Sequence, residues 1–164
     1  MKKLLISTFV TTFLAAASCL AQGSITATIT TSSGGTGTCT FAATSISEDV
    51  SRTVSTNNAP GRPIFDAITL TKIVDKCSVP IYHDFFVGTG ITKVVIAFFN
   101  SANGAAGTEV LRLTLANCII TSVVDADSAI GPVEKLTLTY TTITIFDPID
   151  GTTATCSATS PTCS

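Results

Sequence analysis

Tryptophan is absent from these 164 residues, and histidine and methionine occur once each. Charge is scarce too. Asp, Glu, Lys and Arg make up 12% of the chain, against about 25% in an ordinary soluble domain. That scarcity excludes a coiled coil, which draws on Glu, Lys and Arg for much of its length. The formal charge of −2 excludes a broad basic face for nucleic acid. Disorder requires low hydrophobicity and high charge, whereas 45% of this chain is apolar. Zinc is not expected, since no two cysteines stand two to four residues apart and the single His83 cannot complete a set. No other metal and no cofactor is expected. Threonine is the abundant residue, with 30 copies. Its β-branch suits a pleated strand, and it gives an exposed face without charge.

The N-terminus has the organisation of a secretory signal peptide. Lys2 and Lys3 precede an apolar run from Leu4 to Ala17, and small residues follow. The expected signal peptide is 1–21, with cleavage after Ala21. A lipoprotein-type site at Cys19 is the rival, although Leu would be usual where Ala16 stands. After cleavage the chain has lost two lysines, so its formal charge falls to −4. No later segment has the ~18 apolar residues a spanning helix needs, so no membrane contact is expected after cleavage. A secreted or periplasmic location follows.

Export permits disulfides. Cys39, Cys77, Cys118, Cys156 and Cys163 remain. Five is odd, so at least one thiol is left unpaired within the chain. The favoured pair is Cys156 and Cys163, which would close a short loop in the tail. Cys118 stands in an apolar strand and reads as a buried, inert thiol.

Ser24 to Thr31 alternates apolar and Thr residues, the pattern of a half-buried strand. Weaker strand signals surround Phe41, Ile46 and Val50–Ser55. Thr56 to Pro63 reads as a long loop fixed by two prolines and a glycine. Ile64 to Ile73 alternates again. One short helix follows, with Ser78 as N-cap, Pro80 near its start, aromatic pairs four apart, and Gly88 or Gly90 as the left-handed cap. Thr92 to Phe99 is apolar on both faces and reads as a central strand. Val110 to Ile120 is a strand that Val123 and Val124 extend, and Asp125 to Pro132 is a loop. Glu134 to Phe146 shifts its apolar face near Thr141-Thr142, suggesting a bulge. Asp147-Pro148 ends the fold, and 148–164 is a Thr/Ser-rich tail. Residues 22–147 thus form one mainly β domain, a barrel with one short flanking helix or, alternatively, a two-sheet sandwich.

Catalytic chemistry is hard to find. His83 lies beside Asp84 on the helix, where adjacent side chains diverge, so it reads as a surface or packing residue. Asp125, Asp127, Asp147 and Asp150 lack the alternating ligand run of a calcium loop and read as solvated acids. Gly34-Gly35 and Gly104 to Gly107 lack the Lys-Ser/Thr of a phosphate loop.

One stretch is more specific. Gly61 to Pro80 reads GRPIFDAITLTKIVDKCSVP. It resembles the Hcp family, the haemolysin-coregulated proteins that form the tube of type VI secretion systems, at Asp66, Thr71, Lys72, Asp75, Lys76 and Ser78. The order of elements from there to Phe146 is similar too. The resemblance implies an Hcp-like β-barrel with one short flanking helix and no enzymatic activity. It implies a homo-oligomeric ring, a hexamer, whose stacked copies make a channel that carries effectors and meets other secretion-apparatus proteins. The loop with Asn58, Pro60, Gly61, Arg62 and Pro63 resembles the family's extended loop that reaches neighbouring subunits. An exported binding or adhesion module, or an effector, on the same barrel is the alternative role.

Overall fold

A computed structural model describes residues 23–32, 34–54, 57, 60–100, 107–159 and 163–164, without the side chains of 53, 54, 60 and 62. The signal-peptide segment and Asn58 lie outside the described residues. Ten strands and one helix follow in chain order: β1 Ser24–Thr31, β2 Thr38–Ser47, β3 Val50–Val54, β4 Pro60–Phe65, β5 Ile68–Ile73, α1 Ser78–Val87, β6 Ile91–Asn100, β7 Thr108–Ser128, β8 Gly131–Thr139, β9 Thr142–Phe146 and β10 Thr153–Ser157.

Eight strands form one antiparallel sheet in the order β10-β9-β7-β6-β1-β2-β5-β8. β7 also pairs with β8, so the ladder β7-β6-β1-β2-β5-β8 closes on itself. Closure removes free edges from those six strands, edges that would otherwise recruit foreign strands, and leaves β9 and β10 as an extension from β7. The fold is the expected mainly β one, a ring-like sheet with a single short helix among the described residues. Among the described residues, no helix is long and apolar enough to cross a membrane.

The period-two pattern sets which faces are buried. In β1, Ala27 and Ile29 are buried while Thr26, Thr28 and Thr30 stand half-exposed outside. Ile68 and Leu70 from β5, Val94 and Ile96 from β6, Leu113 and Leu115 from β7, and Leu136 and Leu138 from β8 fill the interior. Hydroxyl pairs tie the outer face across strands, Thr28 to Thr40 at 2.9 Å and Thr69 to Thr137 at 3.2 Å.

The 21-residue β7 serves two neighbourhoods. Arg112 to Ala116 lie between β6 and β9, and Ile119 to Ser128 pair with β8. The change occurs at Asn117, whose φ of 50° is left-handed, and at a register shift between Ile120 and Ser122. Asp125 to Ser128 are therefore strand rather than loop. The apolar shift near Thr141 is a corner separating β8 from β9 rather than a bulge within one strand. There Thr141 donates its N–H to the Ala116 carbonyl at 3.1 Å.

Three further segments differ from the sequence reading. Pro60, Gly61, Arg62 and Pro63 belong to β4, which pairs with β3 in a separate two-stranded sheet. Helix α1 begins at Ser78, so Cys77 occupies the N-cap position. The tail contributes β10, the last strand of the main sheet. Helix α1 does end as its glycine foretells, at Gly88 with φ 71°.

Candidate functional site

The motif residues divide into two groups. Lys72 points into the protein from β5 and is fully buried. Its Nζ donates to Glu134 Oε1 at 2.7 Å, to the Ile73 carbonyl at 2.9 Å and to Ser78 Oγ at 3.1 Å. Asp75 Oδ1 is 2.7 Å from the same nitrogen, and the Phe41 ring centroid is 5.3 Å away. Ser78 accepts the Asp75 N–H at 3.0 Å and donates to Glu134 at 3.1 Å. Asp75 in turn accepts the Cys77 N–H at 2.8 Å. Asp75, Ser78 and Glu134 thus converge on the Lys72 ammonium at the root of α1.

Asp66, Thr71 and Lys76 stand elsewhere. Asp66 is exposed between β4 and β5, with its N–H on the Asp49 carbonyl at 3.1 Å. Thr71 offers its carbonyl to the Thr44 hydroxyl at 3.1 Å. Lys76 lies exposed in the turn before α1. Glu134 was not singled out from the sequence. Its signal was a lone acid in an apolar strand, adjacent to Val133, which is also buried. Glu134 shares the inward face of Leu136 and Leu138, so its burial follows the period-two pattern and Val133 is the residue out of phase.

This node is a structural fastening. A buried cation that meets two carboxylates and a hydroxyl fixes β5, β8 and α1 in one geometry, since each member would be costly to leave unpaired. A disulfide between Cys39 of β2 and Cys77, 38 residues apart, ties the same root to the barrel. Cys156 and Cys163 form a second bridge across 7 residues. Cys118 is buried and unpaired. It borders a cavity of about 350 Å³ with Ile91, Asn117, Ile119 and Thr141. Burial pushes its thiol up to about 11, so it is no nucleophile at neutral pH.

His83 is half-exposed, with Nδ1 3.5 Å from Asp84 Oδ1. Asp84 is buried and already accepts the Thr36 hydroxyl at 2.6 Å and its N–H at 3.2 Å. The carboxylate therefore clamps the β1–β2 turn onto α1. The Asp125 carboxylate raises the pKa of the Tyr82 phenol on α1. Asp147 caps its own turn by accepting the Ile149 and Asp150 N–H groups. Among the described residues, no group of three His, Cys, Asp or Glu could hold a metal ion.

Exposed apolar residues lie outside the filled core. Val79, Phe86 and Val87 on α1 are 77%, 77% and 64% exposed, and Val50 and Ile64 lie exposed on the β3–β4 hairpin. Large exposed apolar groups on a domain with a complete core point to contacts with other molecules.

Comparison with known proteins gives one consistent result. A family model described as "Type VI secretion system effector, Hcp" matches residues 23–146. The fold is similar to a mutant form of Hcp1 from E. coli EAEC 042, with a TM-score of 0.70, 12% identity, and coverage of 82% of this chain and 98% of that one. It is also similar to the secreted protein Hcp3 from Pseudomonas aeruginosa, with a TM-score of 0.65, 16% identity, and coverage of 83% and 98%. Hcp1 from Salmonella typhimurium gives a TM-score of 0.66 at 15% identity, covering 87% and 99%. No curated protein matches the chain by sequence.

Proposed function

The chain belongs to the Hcp family of type VI secretion components, and on that premise we propose that it is a structural subunit of a ring or stacked tube. The observation that carries this reading is surface apolarity beside a finished core. Val79, Phe86, Val87, Val50 and Ile64 are exposed although the barrel interior is already filled. A ring of identical subunits uses a heterologous interface that closes, which requires complementary patches rather than a catalytic pocket. The β3–β4 hairpin, with Pro60 to Pro63 on one strand, stands outside the main sheet and supplies an arm for such a contact. A hexamer enclosing an effector-carrying channel is the form the family resemblance implies. The subunit acts as a conduit and not as an enzyme.

The N-terminal pattern favours export of the chain and cleavage after Ala21. The two disulfides favour a location where thiols are oxidised, secreted or periplasmic. That same observation supports a second reading, in which the barrel serves outside the cytoplasm as a binding or adhesion module or an effector, without a tube. Light scattering on the purified, oxidised chain lacking residues 1–21 separates the two. A discrete multiple of the subunit mass, stable on dilution, is expected for the ring. A monomer at high concentration would reject it and leave the module.

A further inference from the structure

The closed ladder leaves β10 as the outermost strand of the main sheet. Its sequence, Thr153-Ala-Thr-Cys-Ser157, carries no charge and no proline. Those are the usual means by which an edge strand is kept from pairing with another chain. A different device stands in their place. Ser164 lies along the outer side of β10. Thr155 donates its N–H to the Ser164 carbonyl at 2.9 Å, and Ser164 returns its N–H to the Thr155 carbonyl at 2.9 Å. Cys156 and Cys163 form an antiparallel bridge beside this pair, and their side chains are covalently joined.

Backbone hydrogen bonds of this kind hold a short segment in place only weakly, because fixing each residue costs about 1–2 kcal/mol in backbone entropy. The disulfide removes most of that freedom in advance. We propose that the Cys156–Cys163 clip is a redox-controlled cover over a self-association edge, and that opening it lets β10 pair antiparallel with β10 of a second copy. The strand suits this occupant. Centred on Thr155, a two-fold pairing sets Thr155 opposite Thr155 and Thr153 opposite Ser157 of the second copy, with no like charges facing. The chain already joins Thr hydroxyls across strands in this manner, at Thr144 and Thr155, 3.1 Å apart. The backbone groups needed are those that Ser164 occupies. The clip opens by thiol–disulfide exchange with an external dithiol, which leaves as its own disulfide while Cys156 and Cys163 become thiols; it is accessible to that dithiol, since Cys163 is exposed whereas Cys77 of the other bridge is fully buried.

The test compares three oxidised proteins lacking residues 1–21 by light scattering over a concentration series. They are the wild type, C156S/C163S, and C156S/C163S carrying T155P. Proline at 155 removes the outward N–H and leaves the β9 ladder intact, because the Thr155 N–H is given to Ser164 and not to β9. The double variant should rise in mean mass with concentration, up to twofold above the wild-type species. The triple variant should return to the wild-type value. A double variant that matches wild type at every concentration would overturn the proposal, as would association that T155P does not suppress. Should the double variant lose its circular-dichroism signature, mild reduction of the wild type replaces it. Any mass increase must then track alkylation of Cys156 and precede that of Cys77. An increase that tracks Cys77 instead would equally reject the proposal.

Discussion

Two regions of this molecule are held by the same covalent device and are otherwise opposites. At the root of α1 the Cys39–Cys77 bridge is buried and lies beside the Lys72–Glu134–Ser78 node. At the C-terminus the Cys156–Cys163 bridge reaches solvent and lies beside two backbone hydrogen bonds and a threonine pair. The first fastens an element that the core needs, since Ile81 of α1 is buried against the barrel. The second fastens a strand edge that adds Cys156 and Ala158 to the margin of the core. A disulfide's effect thus depends on what it keeps in place, packing in one region and access in the other.

The contrast can be broken most forcefully at Lys72. Lys72→Met strands the buried Glu134 carboxylate without its cation, and should cost about 5 kcal/mol, the upper end for breaking a buried pair. Urea denaturation reads this as a large drop in midpoint. Lys72→Met combined with Glu134→Leu should recover much of the loss, because a buried ion pair contributes little over an apolar pair of similar volume. No recovery would mean that the node holds α1 by geometry that apolar packing cannot replace.

The bridges come next. By the chain-entropy relation, C39S/C77S should cost about 4 kcal/mol and C156S/C163S about 2.5 kcal/mol. The qualitative difference is sharper than those figures. Loss of the buried bridge should speed hydrogen exchange throughout α1, whereas loss of the exposed one should change exchange at Thr155 and little else. Equal spreading of both effects would dissolve the distinction between the two regions.

The smallest effect is alkaline. Burial pushes Tyr140 up to about 12 and Cys118 up to about 11. In the unfolded chain these groups lose protons near 10 and 9, so above pH 9 the unfolded state holds fewer protons than the folded one. Stability then falls as pH rises. The melting temperature should decline from pH 9 toward 12, and Cys118→Ala should reduce the early part of that decline. An unchanged profile would place the thiol outside the linkage.

Much of this fold was legible because β1, β5 and β6 follow simple burial rules. Ile68 and Leu70 alternate with threonines, and Ile91, Val94 and Ile96 mark a strand enclosed by neighbours. The hidden parts have physical reasons. Cys39 and Cys77 are brought together by strand pairing across 38 residues, and nothing in their spacing announces it. In the sequence β10 reads as tail because Thr and Ser serve turns as readily as pleats. Asp125 and Asp127 were read as loop because acids are depleted in strands. They are tolerated here because the end of the β7–β8 hairpin is exposed to water. At the site, Lys72, Asp75 and Ser78 could be picked out by resemblance. Their function as a fastening required Glu134, which only the β5–β8 register places opposite Lys72.

The central claim is that this chain assembles with copies of itself. Electron microscopy of the oxidised chain lacking residues 1–21 tests it most directly. Closed rings with a central channel, some of them stacked, are expected. A field of single compact particles at high protein concentration would contradict it.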